Sequence, residues 1–218
     1  MLRLDLHVHT AFSLDAGLRP EDVAREAIRR GLSGVAVTDH GTVRGGLEAR
    51  RHAPQGFIVI PGVEVRTDEG DLLALFVEEE VEPGGFMEVV DRVRGMGGIA
   101  VLPHPYDSSR RSTVGRVEEL AREVDAIEAF NSRCLSMEAN ERAARLATSL
   151  GKPVTAGSDA HFALELGRAV VLVEASDVEE VRKAILRGEV RVEGRLSPPY
   201  VHLMSRLIKE ARRLKGLL

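Results

Sequence analysis

Two histidines stand two residues apart near the beginning of the chain, at His7 and His9. In a strand, residues i and i+2 point to the same face, so both imidazoles and the carboxylate of Asp5 lie on one side of the predicted first strand. The opposite side of this strand is apolar: Leu4, Leu6 and Val8. Alone, two histidines at this spacing are weak evidence for a metal site, because polar residues are also common at strand ends.

The same residue types recur at the ends of later predicted strands. The segments are Thr38-Asp39-His40, Gly62-Val63-Glu64, Leu102-Pro103-His104 and Gly157-Ser158-Asp159-Ala160-His161. Five of the seven histidines thus lie at or just after the carboxyl ends of strands, which converge on one face of a barrel. Neutral imidazole combined with carboxylate is a ligand set for Zn²⁺, Mn²⁺ or Fe²⁺. The sequence therefore predicts a metal centre on that face.

Strand-like and helix-like segments alternate along the chain and would position these residues. The predicted strands are residues 2–6, 34–37, 57–60 continuing at 63–67, 72–76, 99–102, 126–129 and 154–156. A hairpin turn is predicted at Asp68-Glu69-Gly70. Predicted helices at 20–31, 45–52, 86–96, 114–123 and 137–150 separate most of these seven strands. This alternation implies a mainly parallel sheet, either closed as a barrel or open and doubly wound.

The remainder of the chain continues the pattern and then breaks it. Residues 169–173, 178–187 and 190–192 are a predicted strand, helix and short strand. The segment Ser197-Pro198-Pro199 precedes a last predicted helix over 201–214. We therefore expect a barrel domain over residues 1–195 and a basic amphipathic helix within 196–218.

Composition excludes several classes of protein. The 218 residues, 44% of them hydrophobic, suit one domain with a real core. A single cysteine rules out a disulfide framework and fits the reducing cytoplasm, which is the location we expect. The net charge of −4 argues against nucleic-acid binding by bulk positive charge, and no apolar run is long enough for a membrane span. His52 and His202 have no ligand-type neighbours in register, so we expect surface roles for both.

The motifs resemble those of the PHP family (polymerase and histidinol phosphatase). The matching segments are Asp5-Leu6-His7-Val8-His9-Thr10, Thr38-Asp39-His40, Gly62-Val63-Glu64, His104-Pro105 and Ser158-Asp159-Ala160-His161. The last segment, with Leu166-Gly167, is most similar to the small stand-alone metal-dependent phosphoesterases. The resemblance implies an α/β fold, a distorted TIM-like barrel of seven βα units, here with an appended C-terminal helix. It also implies up to three divalent metal ions, and we expect two or three of Zn, Mn or Fe.

When the family's metal ligands are matched to this sequence residue by residue, the resemblance implies three groups of ligands. They are His7, His9, Glu64 and Asp159 for a first ion, Glu64 as a bridge and His104 for a second, and Asp15, His40 and His161 for a third. Asp15 stands where some members have histidine, a change that a hard divalent cation tolerates. The residues expected to act in catalysis are His7, His9, Glu64, His104, Asp159 and His161.

Two positions depart from the family pattern. Close relatives often carry a histidine where Asp71 stands, and the predicted hairpin places Asp71 on the strand facing Glu64, so its ligation stays open. Some relatives carry a histidine where Asn131 stands, and Asn131 could bind a metal, orient a water or contact the substrate. Both departures weaken the second ion in particular.

The resemblance implies hydrolysis of a phosphate ester. Divalent ions lower the pKa of a water, so that hydroxide is available near neutral pH, and they orient the phosphate for in-line attack. Arg133 is the first candidate to bind the phosphate, followed by Arg110 and Arg111 after His104, because an arginine fork matches phosphate geometry. Each of the three could instead be a solvated loop residue. The expected substrates are small phosphorylated molecules or short oligonucleotide 5′ ends, and no membrane partner is expected.

Two other functions remain open. An amidohydrolase-type barrel also begins with two histidines at this spacing and ends with a metal-binding aspartate. No lysine stands at a strand end here to serve as its carbamylated bridge, and phosphodiesterase activity without amidase activity would separate the two. Some PHP-like barrels have lost their ligands and are non-catalytic structural subunits, which would bind less than one tight ion per chain.

The C-terminal segment alternates basic and apolar residues. Arg206, Lys209, Arg212, Arg213 and Lys215 surround Leu203, Leu207, Leu214 and Leu217. This pattern predicts an amphipathic helix that packs against the barrel or against a second subunit, as in a homo-oligomer. A lid or a strand-binding arm near the site is the alternative.

Overall fold

The structure, a computed structural model, describes residues 1–107 and 116–214. The strands within these ranges are β1 (Leu2–Val8), β2 (Gly34–Val37), β3 (Ile58–Thr67), β4 (Gly70–Leu75), β5 (Ile99–Leu102), β6 (Ala126–Asn131), β7 (Val154–Gly157), β8 (Ala169–Val173) and β9 (Val190–Gly194). The predicted segments 57–60 and 63–67 form the single strand β3, and β4 returns from it as the predicted hairpin. The first seven strands correspond to the seven expected from the sequence.

The α-helices in the described ranges are α1 (Pro20–Ile28), α2 (Arg44–Arg51), α3 (Phe86–Gly95), α4 (Val117–Glu123), α5 (Met137–Leu150), α6 (Val178–Arg187) and α7 (Tyr200–Leu214). Their ends follow local chemistry. Pro20 is the first residue of α1, the Ser136 side chain accepts from the N–H of Ala139 at the start of α5, and Gly188 ends α6 at a φ of 70°. None of these helices is both long and apolar enough to cross a membrane.

The sheet combines parallel and antiparallel pairs. Its strand order is β7-β6-β5-β4-β3-β2-β1-β8-β9. The strands β1 to β3 are parallel to one another, and so are β5 to β7. By contrast, β4 runs antiparallel to both of its neighbours, and β8 runs antiparallel to β1 and β9. These reversals distort the barrel from the regular all-parallel form.

The barrel nearly closes where β7 meets β1. Gly157 at the end of β7 permits the approach, because a Cβ added there would lie 2.1 Å from the Cβ of His7 and 2.7 Å from its backbone nitrogen. Just beyond, a parallel bridge joins Val8 to Ala160, and the N–H of His9 donates to the carbonyl of Ala160 at 2.8 Å. We call this contact the β1–β7 seam. The architecture is thus the expected α/β, TIM-like barrel with α7 appended.

One apolar cluster fills the inside of the barrel, because it draws alternate residues from each of β1 to β8, such as Leu73 and Leu75 of β4. Two outer clusters pack helices onto the sheet, with α3, α4 and α5 on one side and α1 and α2 on the other. The barrel is therefore a packed core below its polar end.

β1 departs from the simple alternation expected for it. Leu4 and Leu6 belong to the inner cluster, whereas Val8 belongs to an outer cluster together with Val23 of α1. The register between β1 and β2 shifts between Asp5 and Val8, and such a bulge reverses the facing of the residues that follow it. The expectation of one apolar face carrying all three residues is therefore wrong at Val8.

Candidate metal centre

His7 and His9 point their Nε2 atoms at one place. Both side chains are buried, and the two Nε2 atoms lie 3.1 Å apart. The Oε1 atom of Glu128 lies 2.9 Å from Nδ1 of His7. The Oγ atom of Ser13 lies 3.2 Å from Nδ1 of His9 and donates to Asp39 at 2.6 Å. Partners at the far ring nitrogen fix the orientation and tautomer of metal-binding histidines. Both rings are therefore oriented with Nε2 toward the place where an ion would bind.

Two carboxylates complete the first group of donor atoms. Glu64 Oε2 lies 3.3 Å from His9 Nε2 and 3.7 Å from His7 Nε2. Asp159 Oδ1 lies 3.3 Å and 3.8 Å from the same two nitrogens. Donor atoms arranged tetrahedrally around Zn²⁺ are on the order of 3.4 Å apart. The structure thus brings together the four residues that the resemblance implied for a first ion.

Glu64 also faces a second group of donor atoms. Its Oε1 atom lies 3.2 Å from Nε2 of His104. The ligand atoms of Glu64, His104 and Asp71 all lie within 4.8 Å of one another. Burial raises the pKa of Asp71, and the charge of Glu64 raises it further. Asp71, whose ligation the sequence left open, is therefore within reach of this group.

The third group of donor atoms adjoins the first. Ligand atoms of His9, His40 and His161 lie within 4.8 Å of one another. Asp15 Oδ1 lies 3.6 Å from His40 Nε2 and 3.5 Å from His161 Nε2. The other ring nitrogen of His40, Nδ1, lies 2.9 Å from Glu64 Oε2. The His40 side chain is 44% exposed, so this group is the one nearest to solvent.

This donor set fits divalent cations. Glu64 Oε2 and Asp15 Oδ1 are enclosed by protein, yet they accept no hydrogen bond from the described residues. Buried polar atoms normally have partners, and both oxygens face imidazole nitrogens that can act as neutral ligands. His104 and Asp159 adopt φ angles of 28° and 55°, and such strained backbone occurs mainly at functional sites.

The pKa values of His7, in β1, and His9, just after it, shift in opposite directions. Burial alone would lower the pKa of His7, but the carboxylates of Asp159 and Glu128 outweigh it and raise this pKa well above its usual value. Burial lowers the pKa of His9 well below its usual value, and the charges of His161 and His40 add to that effect. The two shifts have opposite directions, so His7 favours its protonated form and His9 its neutral form, with their Nε2 atoms 3.1 Å apart.

Asn131 at the end of β6 orients carboxylates. Its Nδ2 atom donates to Glu128 Oε2 at 3.0 Å and to Asp159 Oδ2 at 3.1 Å. Its Oδ1 atom accepts from the N–H of Arg133 at 2.9 Å. The amide is thus held against a predicted ligand, which is a positioning role and not one of the three roles that the sequence left open.

Two acidic residues behind the site were missed by sequence reasoning. Glu128 holds both His7 and, through its Oε2 atom, the N–H of His104 at 2.8 Å. The sequence could have indicated Glu128 as a functional residue, because it is the single charged residue in an otherwise apolar part of β6. Glu165 accepts from the N–H of His161 at 3.1 Å and lies in a short 3-10 turn (Ala163–Glu165) that no sequence pattern indicated.

Arg133 lines a cavity beside the third group, but part of its guanidinium is bound to protein. Its Nη2 atom donates to the carbonyl of Val201 at 3.0 Å and to Oγ of Ser205 at 2.8 Å, both in α7. Its Nε atom lies 3.1 Å from Glu165 Oε1. Its expected phosphate contact stays a prediction. The other two phosphate-binding candidates, Arg110 and Arg111, lie outside the described residues.

The cavity has a volume of about 990 Å³ and opens over the third group. α7 forms one wall through Leu203, Arg206 and Lys209. The Nζ atom of Lys209 lies 3.9 Å from Asp15 Oδ2. His202, for which a surface role was expected, is partly exposed and also lines this cavity, a position that only the docking of α7 determines.

The remaining lining includes apolar side chains such as Leu14 and Val81. Phe12 and Leu135 also line the cavity and are exposed, and Arg44 lies over the Phe12 ring at 5.0 Å from its centroid. His52, by contrast, is exposed at the end of α2 and pairs with Glu48, as expected for a surface residue.

The chain belongs to the PHP family. The family model described as "PHP domain" matches residues 5–152, which is more than half of the chain. The model described as "PHP-associated" matches residues 137–190. The first match contains His7, His9, His40, Glu64 and His104, and the second contains Asp159 and His161.

Proteins of known sequence or structure give the same relationship. An uncharacterized protein of Methanocaldococcus jannaschii is 31% identical over 185 residues, covering 82% of this chain and 73% of its own length. A protein named "Probable phosphatase" from Caldanaerobacter subterraneus subsp. tengcongensis is 27% identical over 217 residues, covering 82% of this chain and 85% of its own.

Solved structures share the fold at lower identity. A Bacteroides vulgatus structure described as a "two-domain protein containing predicted PHP-like metal-dependent phosphoesterase" matches with a TM-score of 0.76 at 20% identity. The match covers 89% of this chain and 65% of that one. An amidohydrolase from Chromobacterium violaceum, solved with bound sulfate and no metal, matches with a TM-score of 0.62 at 18% identity, covering 93% and 96% of the two chains.

Proposed function

We propose that this protein is a metal-dependent phosphoesterase that hydrolyses phosphate esters at a site of two or three divalent ions. The observation that carries the proposal is the position of Glu64, with one oxygen facing His7 and His9 and the other facing His104. A carboxylate shared in this way is suited to bridge two cations. Family membership and the relative named as a probable phosphatase support the same reaction class.

The residues that would hold the ions fall into three sets: His7, His9, Glu64 and Asp159; Glu64, Asp71 and His104; and Asp15, His40 and His161. Mixed nitrogen and oxygen ligands suit Zn²⁺, Mn²⁺ or Fe²⁺. When bound, such ions lower the pKa of water and neutralise charge on a phosphate.

The protein's own residues would prepare the site for this reaction. Glu128 and Asn131 hold His7 and Asp159 at fixed orientations, so the ligand atoms need not reorganise. Arg206 and Lys209 line the cavity beside the third group. Their N–H groups can donate to phosphate oxygens that face away from the ions.

The cavity supports a substrate with a sizeable organic group. Its volume of about 990 Å³ far exceeds that of a phosphate group and lies at the upper end of the range for small-molecule pockets. We therefore propose a small phosphorylated molecule or the 5′ end of a short oligonucleotide as substrate.

We also propose a cytoplasmic location, because a chain with one cysteine cannot form an internal disulfide. A homo-oligomer formed through α7 remains a further prediction. Leu207 and Leu214 of this helix are exposed, and so available for such a contact.

The test is a substrate panel with metal-reconstituted protein, loaded in turn with Mn²⁺ and Zn²⁺. The panel comprises a nitrophenyl phosphomonoester, the corresponding diester, histidinol phosphate, a 5′-phosphorylated oligonucleotide and a nitroanilide. We expect hydrolysis of at least one phosphate ester and none of the amide. His9→Ala and Asp159→Ala should abolish turnover without unfolding the barrel, whereas His52→Ala should leave it unchanged.

The other possible outcomes would indicate a different function or a wrong ligand assignment. Cleavage of the amide without any ester would identify an amidohydrolase. Less than one tightly bound ion per chain, with no turnover, would identify a non-catalytic subunit. Near-normal activity in His9→Ala or Asp159→Ala would contradict the ligand assignment.

A further inference from the structure

α7 lies across the loops that carry the third group of donor atoms. Val201 and Ser205 are its buried residues, and they face the barrel. The loop after β1 carries Asp15, and the loop after β7 carries His161. Neither side chain belongs to a strand, unlike Glu64 in β3 or Asp71 in β4. The third group therefore depends more on loop packing than the second does.

One chain of contacts joins α7 to His161. Arg133 donates from Nη2 to the carbonyl of Val201 and to Ser205 Oγ at 3.0 and 2.8 Å. Its Nε atom faces Glu165 Oε1 at 3.1 Å. The Oε2 atom of Glu165 accepts from the backbone N–H of His161 at 3.1 Å. All of these side chains are buried, so the contacts are shielded from water.

A second set of contacts joins α7 to the loop of Asp15. Arg212 donates from Nη1 to the carbonyls of Ser13 and Ala11 at 2.7 and 3.3 Å. Between this anchor and Arg133, Ile208 packs on Gly17, where an added Cβ would lie 3.2 Å from the Ile208 Cδ1 atom. The same added Cβ would lie 3.2 Å from Phe162, the neighbour of His161, so both loops meet beneath α7.

We infer that α7 is a strap that positions Asp15 and His161, with Arg133 and Arg212 as its two anchors. Metal ligands must be held within about 0.5 Å of their binding geometry, and the packing behind them provides this precision. Arg133 thereby acts as a positioning residue through Glu165. The inference rests on the proposed metal centre, and it concerns the third ion alone.

The test measures stepwise binding of Mn²⁺ by the full-length metal-free protein, by titration calorimetry. His161→Ala first identifies the binding step that belongs to the third ion. Arg212→Ala and Ser205→Ala should each weaken that step, about tenfold or more for Arg212→Ala, and leave the tighter steps unchanged. Arg213→Ala is the matched control, because Arg213 is exposed and pairs only with Glu210 among the described contacts, and it should change no step.

Arg133→Ala separates a positioning role from a phosphate contact, with the unfolding temperature measured to show that the variant folds. A strap anchor predicts a weaker third step and a lower kcat, whereas a phosphate ligand predicts a higher KM with every binding step intact. The strap is refuted if Arg212→Ala leaves the third step unchanged, if all steps weaken equally, or if no step depends on His161. Failure of the proposed function would look different, as an absence of tight ions or of ester hydrolysis in the unaltered protein.

Discussion

The raised pKa of His7 favours a proton on its ring, beside the place where the first ion would bind. His7 is held between Glu128 and His9, and the surrounding carboxylates raise its pKa despite its burial. The lowered pKa of His9 favours its neutral form, and because the Ser13 hydroxyl donates to Asp39, it is free to accept from Nδ1 of His9 at 3.2 Å. Metal binding needs both Nε2 atoms as lone-pair donors, and the proton must therefore leave.

This arrangement predicts that metal binding releases protons. Because the raised pKa keeps His7 charged near neutral pH, the apparent affinity for Mn²⁺ should rise as the pH increases and fall as the pH decreases. Calorimetric titrations in buffers of different ionisation enthalpy should give a release of about one proton or more per first ion at pH 7. An enthalpy that does not depend on the buffer would contradict the assignment, and His52→Ala should reproduce the unaltered protein.

Glu128 should control affinity without being a ligand. Replacing it with Gln removes the charge behind His7, and loss of such a partner lowers metal affinity about 10- to 100-fold. Competition with a chelator measures this affinity directly. Glu141→Gln on the exposed face of α5 is the control and should have no effect. Equal affinities for both variants would show that Glu128 is dispensable.

At the residue scale, the sequence identifies candidate ligands better than the groups that hold them. His7, His40 and Asp159 were found because each lies at or just after the carboxyl end of a strand, which is a local signal. Glu165 and Arg133 acquire their contacts only when distant segments of the chain meet. From sequence alone, an arginine near a strand end is equally consistent with a positioning role and with phosphate binding. Spacing alone cannot decide between those roles.

Among the elements, the β1–β7 seam is the most sensitive to side-chain size. Gly157→Ala would place a Cβ 2.1 Å from the Cβ of His7, so the strands must move apart. We expect a loss of about 1–3 kcal/mol in the free energy of unfolding, measured with urea, together with weaker metal binding because His7 moves.

Gly95→Ala in α3 is the matched control for this change. An added Cβ there meets nothing within 4 Å, and alanine favours the helix by up to about 1 kcal/mol. A Gly157→Ala protein as stable as the unaltered one would show that the seam is looser than the structure indicates.

The order of the elements was predictable, whereas their arrangement in the site was less so. Strand and helix patterns, with Pro20 and Gly188 as end signals, predict nearly every element. No repeating hydrophobic pattern in the sequence marks the bulge in β1 or the turn containing Glu165, because pairing and capping by distant residues create them. For the same reason, the docking of α7 over the cavity was one of several open alternatives.

For the molecule as a whole, bound metal should raise the unfolding temperature. The ligands converge in the folded state and separate in the unfolded chain, so an ion present at 100 times its dissociation constant stabilises the fold by about 2.7 kcal/mol. Thermal unfolding with added Mn²⁺ and with a chelator measures the difference. Asp159→Ala should reduce the increase in unfolding temperature on adding Mn²⁺. An unfolding temperature that changes with neither Mn²⁺ nor the chelator would contradict a metal centre in the folded protein.

The β1–β7 seam also has a consequence for chain entropy. His7 and Asp159 are separated by about 150 residues, yet they face each other across the seam. A metal ion bound by both side chains would join the two ends of that long segment, much as a covalent cross-link does. For a loop of this length, the unfolded chain would lose conformational freedom worth on the order of 5 kcal/mol if the tie persisted. A metal held tightly enough to survive partial unfolding would thus restrict the disordered chain as well as complete the folded metal centre.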